Sequence, residues 1–570
     1  MREFVDQETV LKYQRKNGSL FNSPSTTAVV STRFSNSGCL SYLQSILDKS
    51  ENAVPTVYPL NIYARLCMVD ALVRTGIDHH FPTEVQNVLD ATYRSWEQKE
   101  EEIFLDVPTC AMAFRLLRVN GYGVSPGPLA QFATEDDYLS SLAGHLNDTN
   151  AVLELHRASE VITRSDESVL KKINAWSRPF LKRYYVDDHV HSEYNLKMRT
   201  RQEVDDILKF PSYASLERLE NMRYINIYGS GNSKVLKTSY NCTNVDNKEI
   251  LKLAAEDFNS NQLYLREEFR HFKRWVRENR LDEPQFVRQG AWQMYFSAVA
   301  IFVSPELSDA RLAWAKSSLL ILMVDDLFDV TGSKEDLENF IHLVEKWDLN
   351  LATDSFSEDV RILFSALHRA VTEIAEAAKK YQQHDWTSHL IDVWLKATRA
   401  MFIEKEWQRN GYLPTLDEYL TNGFASFSVD TIVHPATYFV GPLISKEVVN
   451  GAEFHNLSKT LGIIGRLLND IASFERESTE GTMNGLALHM AHAADSSKEM
   501  VIQKLMEIVE LKRMELLQLV LRKDTEVPNA CKQVFWKMSK NVHTFYQHGA
   551  DLTTSIEVLN LVDSILHEPV

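Results

Sequence analysis

Apolar residues recur three and four positions apart along most of this chain, and two-residue alternation is scarce. Long amphipathic stretches run over 249–279, 308–328, 358–380 and 387–408. With 20 glycines and 16 prolines among 570 residues, the pattern predicts an all-α protein. Two segments, ALVRTGI (71–77) and LLRVNGY (116–122), each set a leucine-bearing helix end before Gly76 or Gly121. Glycine there suits the left-handed position that terminates a helix. Repeated ends of this kind would build a ring or stack of helical hairpins, although two unrelated helix ends would look the same. Residues 226–249, NIYGSGNSKVLKTSYNCTNVDNKE, break the pattern with Gly, Ser and Asn. The expectation is two helical domains, 1–230 and 231–570.

One apolar run ends in acids. SLLILMVDDLFDVTGS (318–333) leads into Asp325, Asp326 and Asp329. On a helix these three share one face, and clustered carboxylates avoid a low-dielectric interior unless something positive meets them. Hard oxygen ligands so arranged suit Mg²⁺, which usually completes its shell with water and substrate phosphate. A solvated acidic helix end would have the same DDxxD string. GRLLNDIASFERESTEG (465–481) supplies a second oxygen stripe, Asn469, Ser473 and Glu477, at i, i+4 and i+8. The drift is only about 40° per step. If the two helices face each other, they form two jaws around magnesium ions and an anion. Arg466 stands one turn before Asn469, and Arg288 lies in QFVRQGAWQMYF; an arginine fork near such a cluster suits phosphate.

Composition narrows the classes. Lys and Arg total 61 against 78 Asp and Glu, a net charge of −17, which excludes a general nucleic-acid or anionic-membrane surface. The cysteines, Cys39, Cys67, Cys110, Cys242 and Cys531, are scattered without CxxC spacing, as in a reducing compartment. No apolar run reaches the roughly 18–20 residues of a bilayer span. The start, MREFVDQETVLKYQ, reads as neither a signal peptide nor a transit sequence. The expectation is a cytoplasmic protein, or one whose targeting segment is absent from this chain.

The paired motifs resemble the two metal motifs of class I terpene synthases. KYQRKNGSLFNSPSTTA (12–28), YGSGNSKVLKTSY (228–240), SPELSDARLAWAKSSLL (304–320) and HPATYFVGP (434–442) narrow the resemblance to the plant ent-kaurene synthase-like diterpene synthases. The resemblance implies an α domain holding the active site, preceded by an α/α-ring β domain, in the shortened form without a γ domain. It implies three Mg²⁺ on Asp325, Asp326, Asp329, Asn469, Ser473 and Glu477, and diphosphate-binding roles for Arg288 and Arg466. It also implies plastid residence and pairing with a class II cyclase. The DxDD acid of class II cyclases is not present. TEDDY (134–138) lacks the first aspartate, so the first domain is expected to be catalytically silent.

A carbocation formed by loss of diphosphate needs a dry pocket, and aromatic faces stabilise it without attacking it. Candidates are Trp292, Tyr295, Phe296, Phe424, Phe427, Tyr438, Phe535 and Tyr546, each of which could equally be core packing. Where the kaurene-type relatives carry an apolar stretch, this chain has VDTIVHPATYF (429–439): Ile432 is kept, but Thr431 and His434 are more polar. Pro435 would open the helix and free carbonyl oxygens, so Thr431 and Ile432 are expected to steer the cation, with a hydroxyl or water near Thr431 capturing it; a kinked helix with a surface His434 is the plainer reading. The expected activity is ionisation and cyclisation of a copalyl-type diphosphate, with or without an 8-hydroxyl. The rivals are a sesquiterpene synthase acting on farnesyl diphosphate, a chain-elongating prenyltransferase and a non-catalytic helical scaffold.

Overall fold

The computed structural model describes residues 10–20, 23–50, 61–104, 106–141, 144, 148–186, 194–229, 248–284, 290–353, 357–492, 497–547 and 564–570. Among these residues every regular element is helical, and extended pairing is confined to an isolated bridge between Gln14 and Leu20. The all-α expectation holds. Two compact units emerge: Met1–Val161 with Ser168–Lys209 and Arg223–Glu256, and Ile162–Glu167 with Phe210–Met222 and Asp257–Val570. This division is interleaved, whereas the sequence pattern suggested one cut near residue 230. Most of the connection expected over 226–249 lies outside the described residues.

In the first unit, α1 (Asn61–Thr75) packs on α2 (Val107–Val119), α2 on α3 (Thr149–Ser159), and α3 on α4 (Ser168–Val186). The two glycines expected to end helices do so. Gly76 (φ 78°) and Gly121 (φ 75°) both adopt left-handed backbone. Ile77 N–H donates to the Leu72 carbonyl at 3.0 Å and Tyr122 N–H to that of Leu117 at 3.0 Å, the six-to-one bond of a Schellman motif in each case. TEDDY is a capped helix start: the Thr134 side chain accepts from Asp137 N–H, its acids lie in the first turn, and Tyr138 is buried.

Charge inside this unit is paired. Asp70 accepts from Arg74 at 2.8 Å and Arg115 at 2.7 Å, and Glu154 accepts from Arg157 at 2.7 Å. Arg157 also reaches Glu203 at 3.0 Å and the Tyr224 hydroxyl at 2.8 Å. Buried charges are tolerated only when each is met this way.

His156 on α3 is fully buried and shares a 2.9 Å hydrogen bond with Ser177 Oγ. Burial, helped by Arg178 and Arg157, pushes its imidazole down to about 3. Unfolded, the same group titrates near about 6.5. Between those values the unfolded chain binds the proton and the folded chain does not, so stability falls as pH drops through the window. The His156→Gln variant is expected to lose about 2 kcal/mol less stability than the parent between pH 6.5 and 5. Denaturant titrations at the two pH values check this.

The second unit is built around two buried helices. Helix α6 (Ser308–Asp326) carries the apolar run and packs on α5 (Ala291–Ile301), α7 (Glu358–Gln382) and α10 (Val429–Thr437). Its last α-helical residue is Asp326, after which Leu327–Thr331 form a π-helical turn closed by Gly332 N–H to the Leu327 carbonyl at 2.8 Å. A wider turn takes more residues per revolution, so it reduces the drift between Asp325 and Asp329 below that of an ideal α-helix. Helix α11 (Ala452–Glu480) packs on α9 (Leu416–Ser426), α12 (Lys498–Leu521) and α13 (Asn529–Gln547). Helix α8 (Thr387–Arg409) packs on α9 and α10.

Between α9 and α10 the chain breaks at Phe427 and Ser428, where Ser428 has φ 61°. The break seats the Phe427 ring against Gly465 of α11: a Cβ built there would lie 1.9 Å from Phe427 Cε1. Gly465→Ala must displace that ring. It is expected to cost about 1–3 kcal/mol of stability, the usual penalty of overpacking, measurable in a denaturant titration. No helix among the described residues is long and apolar enough to cross a membrane.

Candidate functional site

A cavity opens in the second unit. Helix α6 lines it with Trp314, Ser318, Ile321, Leu322 and Asp325, followed by Asp329 of the π turn. These positions recur at three- and four-residue steps, one face of a helix. Helix α11 contributes Arg466, Asn469, Arg476 and Glu477. Both oxygen-bearing stripes of the sequence therefore open on one space.

The polar side chains concentrate at one end. Asn469 Nδ2 donates to the Tyr546 hydroxyl at 3.1 Å, which leaves its carboxamide oxygen as the acceptor. Glu477 is buried and accepts from Asn484 Nδ2 at 2.8 Å and Arg476 at 3.3 Å. Lys405 of α8 donates to the Asp329 backbone carbonyl at 3.0 Å and stands 3.9 Å from its carboxylate. Withdrawal from water, with the Glu404 and Glu477 carboxylates nearby, pushes the Asp329 carboxyl up to about 6 against the pull of Lys405 and Arg466. A buried carboxylate whose proton affinity is raised beside two others is electrostatically short of cations. Its donors are oxygen atoms only, without cysteine or histidine, so the set fits a hard divalent ion such as Mg²⁺.

Arg466 is clamped at the same end. Its Nε donates to the Tyr419 hydroxyl at 2.6 Å and lies 3.2 Å from Asp470, while Nη2 lies 3.2 Å from Glu404. Asp470 is fully buried, and burial pushes its carboxyl up to about 7 despite Arg466.

Among the other expected residues, Asp326 is 2% exposed and is not on the cavity wall, so within DDxxD the two aspartates facing the space are Asp325 and Asp329. Ser473 also stands off the wall, its hydroxyl donating to the Asn469 carbonyl at 2.7 Å. Arg288 lies outside the described residues. Of the aromatic candidates, Phe427 and Tyr546 line the cavity. The others do not. Trp292 packs on Phe269 at 4.3 Å, and Tyr295 donates from its hydroxyl to the Leu265 carbonyl and Glu268. Phe296 and Phe535 are fully buried in the core, Tyr438 stacks on Trp386 at 4.6 Å, and Phe424 packs under Lys396.

The 429–439 segment also differs from expectation. Ile432 lines the cavity, but Thr431 does not; it is fully buried and its hydroxyl donates to the Ser428 carbonyl at 2.7 Å. Helix α10 continues through Pro435, and the opening occurs upstream at Phe427–Ser428. His434 is buried rather than on the surface, 3.1 Å from both His389 and Ser458.

Sequence reasoning did not single out Glu404, Lys405 and Gln408 of α8, Arg476, Trp314, Ser318, Asn541 and Phe545, all on the wall. Arg476 sits inside the second motif and could have been found there. The α8 trio reads as an ordinary solvated helix end, and nothing in its spacing distinguishes it.

Comparison with known proteins agrees with this geometry. Residues 6–208 match the terpene synthase N-terminal domain, and residues 277–515 match the metal binding domain of the terpene synthase family. Ent-kaurene synthase-like 1 of Ricinus communis is 48% identical over 570 residues, spanning 100% of this chain and 77% of that protein. Terpene synthase 6, chloroplastic, of Isodon rubescens is 45% identical, spanning 100% of this chain and 84% of its own length. Among solved structures, abietadiene synthase from Abies grandis superposes with a TM-score of 0.90 at 28% identity, over 100% of this chain and 76% of that one. Isoprene synthase from grey poplar, in complex with three Mg²⁺ ions and dimethylallyl-S-thiolodiphosphate, gives 0.76 at 25% identity over 89% and 92%. Two oxygen-bearing helices facing one cavity, on this fold and with these relatives, lead to one conclusion: the chain belongs to the terpene synthase family, in its ent-kaurene synthase-like diterpene synthase branch.

Proposed function

We propose that this protein is a class I diterpene synthase that ionises a copalyl-type diphosphate, with or without an 8-hydroxyl, and cyclises or rearranges the resulting cation. The observation that carries the reading is the opening of Asp325 of α6 and Asp329 of its π turn, and of Asn469 and Glu477 of α11, onto a single cavity that Ile321, Leu322, Met401 and Ile432 also line.

Asp325, Asp329, Asn469 and Glu477 would hold Mg²⁺, with Ser473 completing the second stripe and Asp326 behind the first. Three ions are the expected number, in line with the isoprene synthase complex. When bound, such ions neutralise charge on the departing diphosphate as Lewis acids. Arg466, Lys405 and Arg476, all on the wall, orient the anion and hold it at the polar end. Arg288 is assigned the same role from the motif alone. Ile321, Leu322, Ile432 and Met401 exclude water from the hydrocarbon. Trp314, Phe427, Phe545 and Tyr546 present aromatic side chains to the developing cation.

We assign residues 1–230 to a catalytically silent β domain and 231–570 to the catalytic α domain. A bicyclic substrate must be made by a proton-initiated class II cyclase, with which this enzyme would pair. The relatives' chloroplastic names support a plastid setting.

The test is gas chromatography–mass spectrometry of products from farnesyl, geranylgeranyl and copalyl-type diphosphates with Mg²⁺. Turnover of a copalyl isomer is expected. Product from farnesyl diphosphate alone would replace this reading with a sesquiterpene synthase.

A further inference from the structure

Besides its charged groups the cavity wall carries neutral polar side chains, Ser297, Ser318, Ser426, Ser428 and Asn541 among them. Of the buried side-chain polar atoms without a hydrogen-bond partner among the described residues, two belong to cavity-lining side chains: Ser318 Oγ and Asn541 Oδ1. Both side chains are almost completely buried, at 2% and 1% exposure. Leaving a donor or acceptor unpaired in such a place is unfavourable unless a ligand meets it.

Neighbouring contacts orient Asn541. Asn541 Nδ2 donates to the Ser297 carbonyl at 2.9 Å, so the amide nitrogen is engaged and the oxygen is left over. Ser297 Oγ in turn accepts from Trp314 Nε1 at 2.9 Å, and Trp314 sits one turn before Ser318 on α6. Ser318 lies two helical turns, about 10 Å, from Asp325 along α6. Ser318 is thus removed from the acids, and the Ser297 contacts tie Asn541 to the Trp314 turn of the same wall.

We propose that Ser318 and Asn541 form an oxygen-binding subsite that holds one hydroxyl group against the cation. A hydroxyl has one proton to give and lone pairs to receive; Asn541 Oδ1 accepts the former and Ser318 Oγ–H donates to the latter. A second lone pair stays free to attack. The group is either a water molecule or an alcohol carried by the substrate. In both cases a lone pair forms a C–O bond to the cationic carbon, and the O–H proton leaves to the released diphosphate. No oxidant or reductant is needed. This subsite replaces Thr431, whose hydroxyl is spent on a backbone carbonyl, as the source of oxygen capture.

The inference rests on the class I reading above, and its test separates the two. The enzyme is incubated in ¹⁸O-water with copalyl diphosphate and, in a parallel arm, with its 8-hydroxylated form. Inorganic diphosphate and the ratio of oxygenated to hydrocarbon product are measured for the parent, Ser318→Ala and Asn541→Leu. The parent is expected to give ¹⁸O-labelled alcohol in the first arm if water occupies the subsite, or unlabelled cyclic ether in the second if the substrate hydroxyl does. Each variant is expected to lower the oxygenated fraction about tenfold, the equivalent of one lost hydrogen bond. A merely structural role would lower the melting temperature and leave the product ratio where it was. Diphosphate release with only hydrocarbon product from the parent, or an unchanged ratio in both variants, overturns the subsite and spares the class I reading. No diphosphate release from any substrate overturns both.

Discussion

Asp325→Ala and Asp329→Ala are each expected to slow Mg²⁺-dependent diphosphate release by about 10²–10³-fold or more, equivalent to roughly 3–4 kcal/mol of transition-state stabilisation. Both carboxylates face the cavity, from the end of an apolar helix and from the π turn that follows it. Removing either takes a carboxylate from a cluster in which burial, with Glu404 and Glu477 nearby, pushes Asp329 up to about 6. Neither change opens a gap in the hydrophobic core, so melting temperature should move little. Asp326→Asn provides the contrast. That side chain is buried off the wall, so its loss should show mainly in thermal melting, with a smaller change in the Mg²⁺ titration. The measurement is phosphate-coupled diphosphate release across a Mg²⁺ series. Equal losses in all three variants would show that the motif acts as a structural unit rather than as two facing ligands.

Arg466→Ala is expected to combine a loss of stability of about 3–5 kcal/mol with a loss of substrate binding, because the side chain pairs with buried carboxylates and, on the proposed function, also holds the diphosphate. Its guanidinium is 12% exposed and bridges Glu404 and Asp470, each at 3.2 Å. Without it, the fully buried Asp470 keeps the Tyr419 hydroxyl and Gly485 N–H as donors but loses its cation. Arg466→Lys restores a charge but not a planar fork. It should recover part of the stability while the KM for diphosphate substrate stays raised. Thermal melts with steady-state kinetics on the two variants separate the effects. A lysine variant with parental KM would mean that Arg466 is a structural cation alone.

The helical class, the helix-ending glycines and the two oxygen stripes were legible because each depends on periodicity within one helix. Spacing of three and four residues places Asp325 with Asp329, and Asn469 with Glu477, whatever surrounds them. The same rule could not show that Leu327–Thr331 would widen into a π turn, since that depends on how the end of α6 is held. Aromatic residues were the least legible. Phe296 and Phe545 are both apolar rings at helical spacing, 6.1 Å apart, yet Phe545 lines the wall and Phe296 lies behind it. Burial selects for the same side chains in both places.

Sequence by itself therefore determined the elements, the face on which each motif stands and the family the chain belongs to, because all three are written in local order and spacing. Tertiary structure alone decided which faces meet: that α8 brings Glu404 and Lys405 to the acids, that Gly465 admits the Phe427 ring, and that Ser318 and Asn541 are left facing the cavity. The physical reason is that helix periodicity assigns a direction around one axis, whereas a site is made where several axes converge. That convergence is set by packing between residues far apart in the chain.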